Sequence, residues 1–584
     1  MVRPANLGKI ISARELRLLL ERIREQPVEE DMKIEFLSLV SACALFWLIQ
    51  DHCPAAALAD SIVKSEFTVT TSSAYETAQH ADGGSEYYVD CSAADMKGDG
   101  RSPASAWHSL DAINARTFSP GDTIYPKRGA DCHGLLWPKG SGTASAAIRL
   151  SAYGKGVRPK VIAGDGDEEA FKLFDQEYWD VDSIDFSGGT LFGVFVSGQS
   201  GILHHIHLRN LLVHVVHDVH GEEVKHKESG LVVISPGTVQ RHFDDVLVEG
   251  VTAFNTEQWA GILIGGGNFG EVAEKDWSTR VTVRNSVVHD VYGDGIVLFR
   301  VKNGLIEYNA AWRTGMQPAK SIGTPNAIWT WMCTDCVVSK NEAFLTDSPG
   351  VDGGAFDIDW GNTRNSVVDN YGHDTQGYCV AVFGAGYVTR ESVVEGNLCI
   401  NNGRSPRMAS YQGAIFLWTW NNGVIENLRV EKNTIYWAPS GNYPAVLNRA
   451  DIQGAQRIFQ ENQIYSGSAS FIDSNKNLSF QGNRYTACEA SNTTWTFDTH
   501  TYDTFDEYRA ATGQEQGSSW KADMSAPPCL GGDHGRRNIR AAPCPERIIV
   551  PRAAQQLRPG PSFPNSQRAS DRLDYLMRLQ PDRL

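Results

Sequence analysis

The stretch GAFDIDW, Gly354 to Trp360, holds the two carboxylates best spaced to do chemistry together, Asp357 and Asp359. Alternate side chains of an extended strand share a face. Phe356 and Ile358 therefore turn one way, and the two acids turn the other. The opposite register would bury both carboxylates and expose Phe and Ile, at a cost of several kcal/mol. The acids are thus expected on the open outer face of a sheet, roughly 6.5–7 Å apart from the strand rise. That separation leaves room for a water between a general acid and a general base, as in inverting glycosidases. The same alternation turns Trp329 and Trp331 outward one strand earlier, Val297 and Phe299 two strands earlier, and Phe416 and Trp418 two strands later. With Trp360 they form an aromatic patch around the acids. Exposed Trp implies a partner, and flat rings suit the apolar faces of sugars. Trp329, Trp331, Trp360, Trp418, Phe299, Arg300 and His373 are the expected substrate contacts.

His-Asp recurs at His217-Asp218, His289-Asp290 and His373-Asp374, each shortly before a strand of that face. Asp374 is expected to act as a third, assisting acid. Asp294 and Asp352 also fall near strand starts. For any one pair, plain turn chemistry, with Asp bonding nearby backbone, is the stronger reading. Seven of the 16 His lie between 204 and 226. No helical HxxxH with an acid is available there, so an alternating strand face is expected and no metal ligand is assigned. Cys333 and Cys336 form a CxxC without a second pair, which speaks against zinc.

A repeat shows which elements must position these residues. Asn recurs between two short apolar runs at Asn210, Asn285, Asn309, Asn341, Asn370, Asn397, Asn433, Asn462 and Asn483, with Gly250 in a tenth such place, at gaps of 21–40 residues. Between these positions run SGLVVIS, AGILIGG, DGIVLFR, NAIWTWM, GAFDIDW, GYCVAVF and GAIFLWTW. No helical period separates them. Such short strands cannot bury an apolar face one repeat at a time, but stacked coils can. An Asn at one corner can then form a ladder. The expected fold is all-β, a right-handed parallel β-helix (solenoid) with an N-terminal cap. A β-propeller would need blades at a more regular spacing.

The segments YYVDCSAADMKGDGRSPASAWHSLDAIN, FSPGDTIYPKRG and GSGTASAAIRLSAYGKGVRPKVIAG resemble the cap and first coil of secreted polysaccharide-degrading β-helix proteins of the pectin-lyase-like superfamily. TFDEYRAATGQEQGS resembles the segment that closes such helices. The resemblance covers about residues 86–520 and implies the fold. It leaves the reaction open, because this fold hosts lyases, hydrolases, epimerases and adhesins. Lyases of the superfamily need a cation or Ca²⁺ beside the substrate carboxylate. Arg300, Lys302, Lys320 and Arg364 lie on or near the face, but the basic motif of the alginate-lyase family is absent.

Met32–Ala59 reads as a signal peptide: Lys33, an apolar run from Phe36 to Ile49, and an Ala57-Leu58-Ala59 ending. Cysteine use agrees with export. Of 11 Cys, Cys43 and Cys53 fall inside that segment and leave an odd number. Cys91 and Cys132, in the turn-rich N-terminal region, are expected to pair. Asn477 and Asn492 head glycosylation sequons. The net charge is −16 and the tail is Arg-rich, so the body carries more than the whole deficit. An acidic body repels nucleic acid, anionic lipid and polyanionic substrates.

The expected organisation is a gene-model extension (1–31), signal peptide (32–59), linker (60–85), cap and first coil (86–165), β-helix (166–490), closing segment (491–530) and disordered tail (531–584). The expected function is a secreted, monomeric glycoside hydrolase. It uses Asp357, Asp359 and Asp374 on a polysaccharide, without cofactor, metal, nucleic-acid or membrane partner. The alternatives are a Ca²⁺-dependent polysaccharide lyase of pectate or alginate type, and a non-catalytic carbohydrate-binding or adhesion β-helix.

Overall fold

The structure is a computed structural model. It describes residues 84–525 apart from 94–97, 200, 218–227, 239–240, 267–271, 317–323, 407–412, 440, 452, 454–455, 489–492 and 524. The signal segment, the Arg-rich tail, Asp218, Lys320 and Asn492 lie outside the described residues.

Strands of two to nine residues recur in threes, and each member of a triplet joins a different sheet. Sheet one has 15 strands, sheet two has 14 and sheet three has 13. One coil shows the pattern. Leu305–Glu307 lies in sheet one, Ala310–Trp312 in sheet two and Ile328–Trp331 in sheet three, and the next coil repeats the order. The pairings between coils are parallel, for example Ile328 against Phe356 and Phe356 against Val380, with a register shift between Ser470 and Ile472 near the C-terminal end and an antiparallel hairpin closing sheet three. The chain is therefore a right-handed parallel β-helix, the hand that parallel crossovers take. Inward-facing Val, Ile, Leu and Phe from all three sheets fill one continuous core. Burial on both faces explains why many strands read as unbroken apolar runs.

The corner between sheets one and two carries the Asn repeat, which resolves into two positions. The first is a left-handed residue in each coil. Asn210, Gly250 and Asn285 sit here, as do Tyr308, Lys340, Asp369, Gly396, Lys432, Glu461 and Gly482, with φ between 51° and 67°. The second is the next residue along, and there Asn309, Asn341, Asn370, Asn397, Asn433, Asn462 and Asn483 form a buried ladder. From Asn309 to Asn462, each Nδ2 donates to the Oδ1 of the Asn one coil on, at 2.9–3.2 Å. Asn210 and Asn285 were expected in the same ladder. They stand one residue off it because Asn suits both a left-handed corner and a buried rung.

The ends are closed. Leu110–Asn114 is a short helix that tucks Leu110 and Ile113 into the core at the N-terminal end. At the other end, Phe505–Thr512 is a helix whose Thr504 side chain accepts from the Glu507 amide, and whose chain leaves through left-handed Gly513. Its Tyr508 stacks on Trp495 at 5.6 Å and covers the last coil. Cys91 and Cys132 are bridged, as expected. A second disulfide, Cys379–Cys399, ties sheet three to sheet two inside the core. Both of its cysteines read as ordinary apolar strand residues. Cys333 and Cys336 are buried free thiols. At the Asn477 sequon, the side-chain amide donates to the Ala450 carbonyl at 3.0 Å.

Candidate active site

The outer face of sheet three carries the Asp pair in the middle of a cavity of about 150 Å³. Its row runs Val297, Trp329, Asp357, Ala381, Phe416 across successive coils. Phe356 and Ile358 point into the core, as the strand alternation requires. Asp357 and Asp359 turn outward but are not exposed. They are 2% and 7% accessible, because aromatic side chains and the loop around Val351 and Asp352 close over them. The expectation of an open face is thus corrected: the acids lie at the floor of an enclosed, Trp-walled cleft.

Four carboxylates line this cleft: Asp294, Asp352, Asp357 and Asp359. A polar network fixes them. The Asp294 Oδ1 accepts from the Trp329 indole at 2.8 Å and from the Asn326 amide at 2.7 Å. Asn326 Nδ2 reaches Asp357 Oδ2 at 3.4 Å, while Asn326 Oδ1 accepts from the Gly354 amide at 2.9 Å. The buried Tyr378 hydroxyl lies 2.9 Å from Asn326 Oδ1 and 3.2 Å from Asp352 Oδ1. Asp359 Oδ1 accepts from the Trp360 amide at 2.9 Å. Asp357 Oδ1 is buried with no hydrogen-bond partner among the described residues. Burial pushes the Asp357 carboxyl well above the ordinary carboxylate range, and the negative charges of Asp359, Asp352 and Asp294 push it further. A carboxyl so placed keeps its proton where ordinary carboxylates have lost theirs. Asp294, Asp352 and Asp359 place further carboxyl oxygens around it. Acid and base roles separate in this way when environments drive neighbouring titrations apart.

The walls are Trp259, Trp329, Trp331, Trp360, Phe383, Trp418 and Trp420. Trp418 and Trp420 pack at 4.7 Å and remain half-buried. Trp360 meets Trp331 edge-on at 5.0 Å and Trp420 edge-on at 5.6 Å. Phe299 does not reach the cavity. It is fully buried and stacks behind Trp331 at 4.1 Å. Arg300 is also buried, over the Phe299 ring at 4.6 Å, and is not among the lining residues. Among the described lining residues there is no Lys, Arg or His.

His373 and Asp374 are placed elsewhere. Tyr371–His373 is a strand of sheet two, so neither residue meets the acids of sheet three. Asp374 is a left-handed corner with φ 53° that binds His373 Nδ1 at 3.0 Å and Asn401 Nδ2 at 2.5 Å. Asp290 repeats the arrangement with φ 56° and His289 at 2.7 Å. These two His-Asp pairs are corner chemistry. Their imidazoles belong to a ring stack along the outside of sheet two: His214, Phe254, His289, Trp312, Phe344, His373.

Asn326, Trp259, Phe383 and Trp420 escaped the sequence reading as site residues. Asp294 and Asn326 had one usable sign. Both are polar residues two places before an inward Ile in consecutive sheet-three strands, Ile296 and Ile328, which pair directly. Trp259 gave none, because it reaches the cleft from a bend.

Fold and site together define a β-helix with an acidic, aromatic-walled cleft on its third sheet. No protein-family model matches the chain, and no curated protein matches it. Among solved structures it is similar to a GH136 lacto-N-biosidase from Eubacterium ramulus. That match has 20% identity and a TM-score of 0.51, over 80% of this chain and 81% of that one. It is also similar to an alginate lyase from Paenibacillus sp. str. FPU-7, at 16% identity and a TM-score of 0.36, over 53% of this chain and 97% of that one. At these identities the likeness is one of fold.

Proposed function

We propose that the protein is a secreted carbohydrate-active enzyme, a glycoside hydrolase that works in the sheet-three cleft. The observation that carries this reading is the wholly buried Asp357 set among three further carboxylates and a Trp wall. Asp357, held protonated by its surroundings, is the general acid that delivers a proton to the leaving oxygen. Asp359, steadied by the Trp360 amide, is the carboxylate that acts on the other side of the bond. Trp329, Trp331, Trp418 and Trp420 hold sugar rings by their flat faces. The similarity to a lacto-N-biosidase supports a carbohydrate substrate for this chain.

A neutral glycan suits the cleft better than a uronate, since the acids around the protonated Asp357 disfavour an anion and no cationic side chain is among the described lining residues. Replacing Asp357, Asp359 and Asp352 singly by Asn tests the roles. Loss of turnover by about 10²–10⁴ is expected for Asp357→Asn and Asp359→Asn, with a smaller loss for Asp352→Asn. A full loss in Asp352→Asn with Asp359→Asn active would hand the second role to Asp352. Unsaturated products and abolition by a chelator would favour a Ca²⁺-dependent lyase. Glycan binding without turnover would favour an adhesion protein.

A further inference from the structure

Outside the cleft, another cluster of chemistry-bearing side chains stands on the outer face of sheet one. It spans three successive strands, Trp179–Asp182, Gly201–Arg209 and Arg241–Glu249. We infer that Asp180, His205 and His207 form a site for a divalent transition-metal ion that nitrogen ligands select, such as Zn²⁺ or Co²⁺.

The backbone gathers these groups on purpose-shaped positions. Tyr178, His205, Asp245 and Arg280 stack on consecutive coils, each left-handed with φ of 51–66°. At each, one extra residue turns outward. His205 therefore joins His207 on the outer face, while Ile206 and Leu208 stay in the core. The two imidazole centroids are 3.6 Å apart.

Asp245 then sets both tautomers. Its carboxylate lies 3.0 Å from His205 Nδ1 and 3.1 Å from His207 Nε2. A carboxylate only accepts, so each facing nitrogen carries its proton. In the neutral rings the lone pairs are left on His205 Nε2 and His207 Nδ1. These two atoms stand 3.5 and 3.7 Å from Asp180 Oδ1. All three ligand atoms lie within 4.8 Å of one another. Metal–ligand bonds of about 2.0–2.1 Å in a tetrahedron put neighbouring ligands about 3.3–3.4 Å apart, so a small closing motion completes the tripod. His205 Nε2 is buried and has no hydrogen-bond partner among the described residues. Carboxylate behind imidazole, orienting it toward an ion, is the usual outer support of a metal site.

Arg209 supplies the positive charge now. Its Nη1 is 2.6 Å from Asp180 Oδ1 and its Nη2 is 2.7 Å from His207 Nδ1. It competes with an ion for the same lone pairs. When displaced it has a second acid at hand, Glu249, whose Oε2 is 3.8 Å from its Nε.

The test uses the untagged full chain, stripped with a chelator and titrated with Co²⁺ near neutral pH. Visible absorption is followed, with Zn²⁺ calorimetry beside it. One ion per chain is expected, with a ligand-field band of nitrogen and oxygen ligands. His205→Asn, which keeps a residue tolerant of left-handed backbone, should abolish the band at an unchanged melting temperature. Asp245→Asn should weaken binding by about 10–100-fold, and Arg209→Gln should tighten it. If His205→Asn does not fold, Asp180→Asn on the neighbouring strand decides in the same way. No band in either the parent or Arg209→Gln would overturn the assignment. A band that survives the ligand substitution would also overturn it, by moving the ion to other residues such as the cleft acids.

Discussion

Replacing Asp357 by Asn should make the protein more stable as it makes it inactive, and the gain should depend on pH. The native carboxyl is wholly buried, with Oδ1 unpartnered and three acids close by, and its pKa is raised. In the unfolded chain it titrates near the ordinary value of about 3.9. Below that value both states are protonated and the group contributes nothing. Above it the unfolded chain has lost the proton and the native protein still holds it. Stability therefore falls by about 1.4 kcal/mol per pH unit. The fall stops at the native pKa, above which both states are ionised and the penalty stays constant. Asn removes the titration and with it the penalty. For roughly 400 ordered residues the unfolding entropy is about 0.8 kcal/mol per degree, so the variant should gain about 1.7 °C over the parent per pH unit crossed. Scanning calorimetry of both proteins from pH 4 upward measures the divergence. Parallel curves, or a variant that loses ground as pH rises, would refute the assignment of a buried, protonated Asp357.

Trp418→Ala should weaken glycan binding, raising KM by about 10-fold or more while leaving the melting temperature nearly unchanged, as expected for a half-buried aromatic wall. Steady-state kinetics with and without the substitution read this directly. Asp374→Asn should leave turnover at the parental level, because Asp374 stands at a corner of sheet two, and a loss comparable to Asp357→Asn would return it to the mechanism. Asn397→Ala should cost about 3 kcal/mol, since it strands the Asn370 amide and the Val367 carbonyl in the core. A denaturation midpoint equal to the parent's would contradict the ladder's role.

The fold was legible because a solenoid writes its period into the chain. Strand alternation in GAFDIDW correctly turned Asp357 and Asp359 away from the core, and it placed Trp329 and Trp331 beside them. Alternation reports which side of a strand a residue occupies and nothing about what lies above it. The acids and Trp were therefore expected in the open, and the covering loop at Val351–Asp352 was not foreseen. Phe299 followed the same alternation but stacks behind Trp331, a distinction that rests on packing between coils. Asp374 and His373 were misplaced because a His-Asp dipeptide looks alike at every corner. Only the strand count shows which sheet follows. The Cys379–Cys399 bridge was hidden for a similar reason: a buried cysteine in a strand reads as one more small apolar residue.

The central claim is hydrolysis in the sheet-three cleft, and product chemistry tests it most directly. Parent, Asp357→Asn and Asp359→Asn proteins are incubated with a panel of neutral and acidic glycans, and the products are analysed by mass spectrometry. The account predicts that the parent adds one water per bond cleaved in a neutral glycan, giving ordinary reducing ends. It also predicts that a chelator does not stop the reaction, and that both variants still bind the glycan without turning it over. Unsaturated, water-free products from an acidic glycan, or parental turnover in both Asn variants, would contradict it.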